Sequence, residues 1–190
     1  MKRTLFLICA AMLAITASAQ ITWNAKIGFG FANCWGDDTE GLKNHSVAKL
    51  GVGIEYPLNQ SWSLMPSLEF AMKGVEIDDS GLDSKLDIGY LQIPIVAAYR
   101  INLNDSWNLT LKAGPYFGYA VTDEFEVKYN GQKTTGNADV KKFDAGFDAG
   151  VDFEYHRFVF GAEYEMGFCD MFDDVSIKNM AFYLTVGWKF

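Results

Sequence analysis

Met180-Ala-Phe-Tyr-Leu-Thr-Val-Gly-Trp-Lys-Phe190 ends the chain. Taken in steps of two, Met180, Phe182, Leu184, Val186, Trp188 and Phe190 are apolar. Ala181, Tyr183, Thr185, Gly187 and Lys189 between them are small or polar. A period of two puts alternate side chains on opposite faces of an extended chain, so this is a strand with one apolar face. The alternation recurs upstream over residues 23–35, 50–56, 62–72, 91–101, 107–119, 143–155 and 158–168. Eight strands result. Short turns fall near 57–60, 102–105 and 156–157, and long loops near 36–45, 76–87, 122–142 and 169–179. Tight turns alternating with long loops predict an all-β fold, an eight-stranded antiparallel up-and-down transmembrane β-barrel with both termini in the periplasm.

The two faces differ in kind. One carries Glu55, Glu69, Asp144, Asp148, Asp152, Glu154, Glu163 and Glu165 against Lys26, Lys49, Lys73, Arg100, Lys112, Arg157 and Lys189. Near-balance suits charges that pair across a closed interior. The same face holds eleven of the eighteen glycines, which make room in a narrow lumen. The other face is apolar on every strand, as hydrocarbon requires. At the expected periplasmic ends its residues are Trp23, Tyr56, Trp62, Tyr99, Trp107, Tyr155, Phe158 and Trp188. All are aromatic, the composition of an interfacial girdle. A soluble lipocalin-like barrel, apolar face inward, also has eight alternating strands. It explains neither the girdle at one end only nor glycines on the polar face.

Residues 1–19 read as a cleaved signal peptide. Met1-Lys2-Arg3 is basic, residues 5–15 are apolar, and Ala17-Ser18-Ala19 is small where a signal peptidase cuts. The barrel is then residues 20–190. The apolar run is too short to span a bilayer as a helix, and no other stretch approaches that length. Loss of Lys2 and Arg3 takes the formal net charge from −8 to −10. So acidic a chain excludes nucleic acid as a partner, since phosphates need a basic face. Two histidines and three cysteines are too few for a zinc module.

Two runs carry a family resemblance. Tyr90-Leu-Gln-Ile-Pro-Ile-Val-Ala-Ala-Tyr99 and Ala113-Gly-Pro-Tyr-Phe-Gly-Tyr119 resemble the "Y-L-x-I-P-x-x-x-x-Y" and "G-P-x-x-G-Y" runs of small Bacteroidetes-type outer-membrane barrels, the porin-family or PorT-like proteins. Residues 143–155, 160–164 and 183–190 look like that family's last three strands, and Phe190 is similar to the terminal aromatic read by the outer-membrane barrel assembly machinery. The resemblance implies a barrel and its location. It implies no shared activity, cofactor or catalytic residue.

Several residues invite a chemical reading. His45-Ser46, with Asp37, Asp38 and Glu40 nearby, is the arrangement a lipid-modifying enzyme of the outer rim would use, but a nucleophile needs an oriented base that adjacency alone does not supply. His156 sits in a turn and reads as solvated. Asp78-Asp79 and Asp173-Asp174 are acidic pairs without the spacing of a calcium loop, so they read as solvated surface. Cys34 and Cys169 lie at the outer rim with a strand between them, a separation beyond ordinary disulfide reach. Pro66, Pro94 and Pro115 fall inside strands, where each removes a ladder bond and a bulge is the expected remedy. No catalytic, cofactor-binding or metal residue is assigned.

The reading is therefore an integral outer-membrane barrel with a side-chain-filled polar lumen and a structural or interaction role. The alternatives are a small porin-like pore and, behind it, a lipid-modifying enzyme. Its surroundings would be outer-membrane lipid and lipopolysaccharide, the assembly machinery during biogenesis, and an unidentified protein partner. After alkaline carbonate washing the mature protein should stay in the membrane pellet. Release into the soluble fraction would return the lipocalin-like reading.

Overall fold

Alternation along the chain becomes inside and outside in space. The computed structural model describes residues 21–37, 42–79, 82–129, 132–138, 140–172 and 175–190; residues 1–19, read above as a signal peptide, lie outside them. The strands are β1 (Thr22–Trp35), the two-residue β2 (Leu42–Lys43), β3 (His45–Pro57), β4 (Trp62–Asp79), β5 (Leu82–Asn102), β6 (Trp107–Tyr129), the short β7 (Gln132–Asn137), β8 (Phe143–Tyr155), β9 (Phe158–Asp170) and β10 (Lys178–Lys189). Strands β1, β3, β4, β5, β6, β8, β9 and β10 pair antiparallel with their neighbours, and β1 pairs β10 to close the ring. Closure leaves the barrel wall no edge strand. Short β2 and β7 extend the rim, on β4 and β6 respectively.

The strands are staggered. From partner to partner, Asn24 leads to Gly53 and Ser67. On the far side Tyr116 leads to Gly146 and Gly167. The circuit returns to β1 near Cys34, which faces Asn179 of β10. Such stagger tilts the strands and fixes the bore, which at eight strands is only wide enough for side chains.

The burial pattern is that of a soluble protein turned inside out. Phe29 is 67% exposed and Leu184 61%, whereas Glu163 and Gln92 are 0% exposed. All eight acids assigned to the polar face are buried. This rules out the lipocalin-like alternative, in which the apolar face would be the hidden one. No helix among the described residues is long and apolar enough to cross a membrane; the crossing is made by strands. At the periplasmic end the girdle rings pair across strands, with centroids 5.0 Å apart for Trp62 and Tyr99, 4.7 Å for Trp107 and Tyr155, and 4.6 Å for Phe158 and Trp188.

Three expectations need correction. The stretches 76–87 and 122–142 are not long loops: β4 and β5 run on as a paired hairpin to Asp79 and Leu82, and β6 continues to pair β7. Their polar residues lie above the membrane, where a ladder needs no apolar face. The prolines produce no bulge. Gly53↔Ser67 and Tyr56↔Leu64 keep one register on either side of Pro66, and Pro94↔Tyr116 and Ala97↔Ala113 keep one register past Pro94 and Pro115. The ladder there is interrupted without a shift. Arg157 is exposed in its turn and does not belong to the lumen.

His156 has φ of 52°. This left-handed conformation lets Tyr155 and Phe158 pair directly across a tight turn. Asparagine tolerates it and a β-branched residue does not. His156→Asn should leave the urea midpoint in detergent equal or higher, and His156→Val should cost about 1–2 kcal/mol.

Candidate functional site: a closed lumen and the rim above it

Inward charges form three tiers. At the periplasmic end Arg100 donates to Glu55 at 2.5 Å, and Lys189 donates to Glu55 at 2.9 Å and Glu154 at 2.7 Å. In the middle, Glu163 receives Lys26 at 2.7 Å and Lys112 at 2.6 Å, and Lys49 joins them. Lys26 also reaches Glu69 at 2.8 Å, and Lys112 reaches Asp152 at 2.8 Å. In the outer tier Glu165 accepts from Lys49 at 2.9 Å and from Gln92 at 2.8 Å, and lies 2.9 Å from Lys73. Tyr116 donates to Asp144 at 2.9 Å, and Lys73 sits 3.9 Å from the centroid of the Tyr116 ring.

Glycine makes the middle tier possible. Gly51 of β3 lies between Lys26 of β1 and Glu69 of β4. Gly150 of β8 lies between Lys112 of β6 and Glu163 of β9. A Cβ on Gly150 would stand 2.8 Å from Lys112 Cε, and one on Gly51 would stand 2.7 Å from Glu69 Cγ. The missing side chain on the central strand lets its two neighbours meet over it.

The pairing that near-balanced inward charge predicts is present at Glu163 and missing at Asp148. Glu163 takes three lysines, whereas Asp148, buried beside them, has no hydrogen bond or ion pair among the described residues. Its carboxylate borders a small cavity of about 40 Å³ in the periplasmic half, shared with Lys26, Lys112 and Asp152. That volume suits ordered water and no larger solute.

Above the ions the inward residues change character. Cys34, Val75, Ile88, Tyr90, Ala120, Val140 and Met171 form a buried apolar cluster across the extracellular mouth. Asn179 donates to the Tyr90 hydroxyl at 3.0 Å and joins this cap to the ionic tiers. Sequence reasoning missed the cap because Val140 and Met171 lie outside the alternating stretches.

Among the described residues, those singled out for chemistry do not assemble. His45 points inward, its Nε2 2.6 Å from Asp87 Oδ1 and its Nδ1 3.8 Å from Glu76 Oε2. Ser46, the next residue along β3, is exposed on the other face opposite Phe31, so His45 does not serve it as a base. Asp37 is exposed, while Asp38, Glu40, Asp173 and Asp174 lie outside the described residues, as do the side chains of Asp78 and Asp79. No metal-type cluster occurs among the described residues. Cys34 and Cys169 are free thiols; Cys34 is buried with Sγ 3.7 Å from Met171 Sδ. His156 is exposed, stacked edge-on against Tyr155.

Residues 16–173 match the family described as "Outer membrane protein beta-barrel domain". The chain belongs to that family. The barrel accordingly resides in the outer membrane of a Gram-negative bacterium. A search of curated protein sequences finds no match. Among solved structures the barrel is similar to Ail, the attachment invasion locus protein of Yersinia pestis, with TM-score 0.52 at 20% identity, over 89% of this chain and 98% of that one. Neisserial surface protein A is similar with TM-score 0.51 at 13% identity, over 88% and 97%. The outer membrane enzyme PagL aligns with TM-score 0.48 at 11% identity, over 88% and 98%. At these identities the likeness is one of fold.

The pairing pattern separates two lumenal acids. Glu163→Leu takes from Lys26, Lys49 and Lys112 the carboxylate they share. It should lower the unfolding free energy in detergent by about 3–5 kcal/mol, the cost of breaking a buried pair from one side. Asp148→Asn removes a carboxylate that holds no lysine, and its urea midpoint should match or exceed the wild-type value. Equal losses for the two would mean a water-filled lumen.

Proposed function

We propose that this barrel is a non-conducting, non-catalytic protein of the outer membrane that acts through its surfaces, as a structural or interaction element. One observation carries the reading: side chains fill the lumen along its length, leaving in its periplasmic half a space of about 40 Å³ that suits only water. Lys189, Glu55 and Glu154 close the periplasmic end, the lysines around Glu163 and Glu165 fill the middle, and the apolar cluster covers the mouth. A barrel of this size has no spare bore once such side chains are in place. The absence of catalysis rests on the separation of His45 and Ser46 onto opposite faces.

The same reading extends to biogenesis and surroundings. Residues 1–19 direct export through the general secretory pathway and are removed, and Phe190 is the terminal aromatic taken by the assembly machinery. The runs at 90–99 and 113–119 support a place in the PorT-like, Bacteroidetes-type branch. The apolar wall meets outer-membrane lipid and lipopolysaccharide, and the extended hairpins of β4–β5 and β6–β7 offer the surface on which a protein partner would rest. Solute transport is not part of this role.

A planar bilayer separates the barrel from a small porin-like pore. The purified, refolded protein should give no resolved conductance steps above the bare membrane, and regular single-channel steps would establish the pore instead.

A further inference from the structure

Strand β6 changes face at its outer end. Within the membrane its even-numbered residues point inward, and Lys112, Tyr116 and Ala120 are buried. The register with β5 then slips: Tyr90 faces Ala120, but Gly89 faces Thr122, and Val121 is left over, 52% exposed. A bulge of one residue reverses the parity of everything beyond it. Phe125 and Val127, which the alternation would turn outward, come to lie opposite Leu86 and Ser84 and face the space above the mouth. The Phe125 ring lies over Gly136 of β7, where a Cβ would stand 2.6 Å from the ring edge.

The result is a cavity of about 230 Å³ bounded by Leu42, Val75, Leu86, Phe125, Val127 and Phe172. Met171 and Ile177 join its wall. It stands above the membrane, and its wall is apolar almost throughout. An enclosed cavity of about 150 Å³ lined by Leu, Ile and Phe stays dry and binds benzene or xenon; this one has the same kind of lining and opens on its outer side. The charged groups at its border are engaged already: Lys85 lies 3.3 Å from Glu76, and Lys133 lies 2.6 Å from Glu126. Among the described residues a ligand headgroup would find no free counter-ion there. The apolar cluster continues toward Tyr90 and Cys34 and then meets the ionic tiers, so the cavity is blind.

We propose that the extracellular rim is a binding site for a small uncharged apolar molecule, of the size of a one- or two-ring aromatic, held between the β4–β5 and β6–β7 hairpins. The site is independent of whether the lumen conducts. The ligand is bound at the rim and is not carried through.

Naphthalene titrated into the refolded barrel with ¹³C-methyl methionine and isoleucine labels tests the site. Met171 and Ile177 methyl resonances should move and saturate, whereas Met65, which borders the periplasmic cavity, should stay still. Leu86→Trp fills the site and should weaken the saturable shift at least tenfold while the protein keeps its heat-modifiable gel mobility. The anionic analogue 2-naphthoate should bind at least tenfold more weakly than naphthalene. Shifts at Met171 and Met65 that rise together without saturation would show mere partitioning into the detergent and overturn the proposal. So would unchanged binding in the folded Leu86→Trp protein, or naphthoate binding as tightly as naphthalene. The wild-type titration stands by itself if the variant fails to fold.

Discussion

An eight-stranded barrel has an interior about one layer of side chains deep, and in this one that layer is ionic. A buried charge without a partner costs several kcal/mol, so each long inward side chain must end against its opposite. Neighbouring inward residues stand one strand apart, too close for two long side chains with a third between them. Glycine on the intervening strand resolves the crowding, as at Gly51 and Gly150. The two sets are therefore coupled: where glycine falls decides which lysine meets which carboxylate. Glu163 sits at the point where three such routes converge.

The outer wall follows from the same pleat. Once charges and glycines claim one face, the alternate residues have only the other, and they supply a continuous apolar surface with a girdle of rings at its periplasmic edge. The two faces are one constraint seen from both sides. Where the strands leave the membrane the constraint lapses. There the hairpins carry charge and apolar groups on either face, and a bulge at Val121 reassigns them.

Much of this is legible in the sequence. Strand number, closure, the lipid-facing side and the inward place of all eight acids follow from period two, because that period needs no knowledge of partners. Register does. Nothing in the order of residues says that Lys26, from the first strand, would reach both Glu69 and Glu163, or that Asp148 would be left aside. The extended hairpins look like loops in the sequence because Asp78, Lys85 and Glu124 break an apolar pattern that only membrane-embedded strands must keep. The parity change in β6 was hidden for a similar reason: Phe125 and Val127 keep their odd-numbered rhythm, and one unpaired residue below them changes its meaning. His45 and Ser46, adjacent in the chain, were separated by the very alternation that identified the strands.

The placement of the middle tier bears on how the barrel comes together. Lys26 and Lys49 belong to the first two wall strands, and Glu163 and Glu165 to the penultimate one. Those two parts of the wall pair backbone to backbone at the β1–β10 seam, the contact between the two ends of the chain. Until it shuts, Lys26 and Lys49 have Glu69 beside them, but within the last three strands the inward acids of β8 and β9 have only Lys189 of β10, so the late part of the sheet is strongly acidic. Bringing Lys26 and Lys49 to Glu163 and Glu165 and closing the ring are then one event. An open sheet would be held back in water or in the keeping of a chaperone, and only a sealed cylinder would be soluble in lipid. The charge pattern thus acts as a check on completeness, admitting to the membrane a chain whose last strand has found its first.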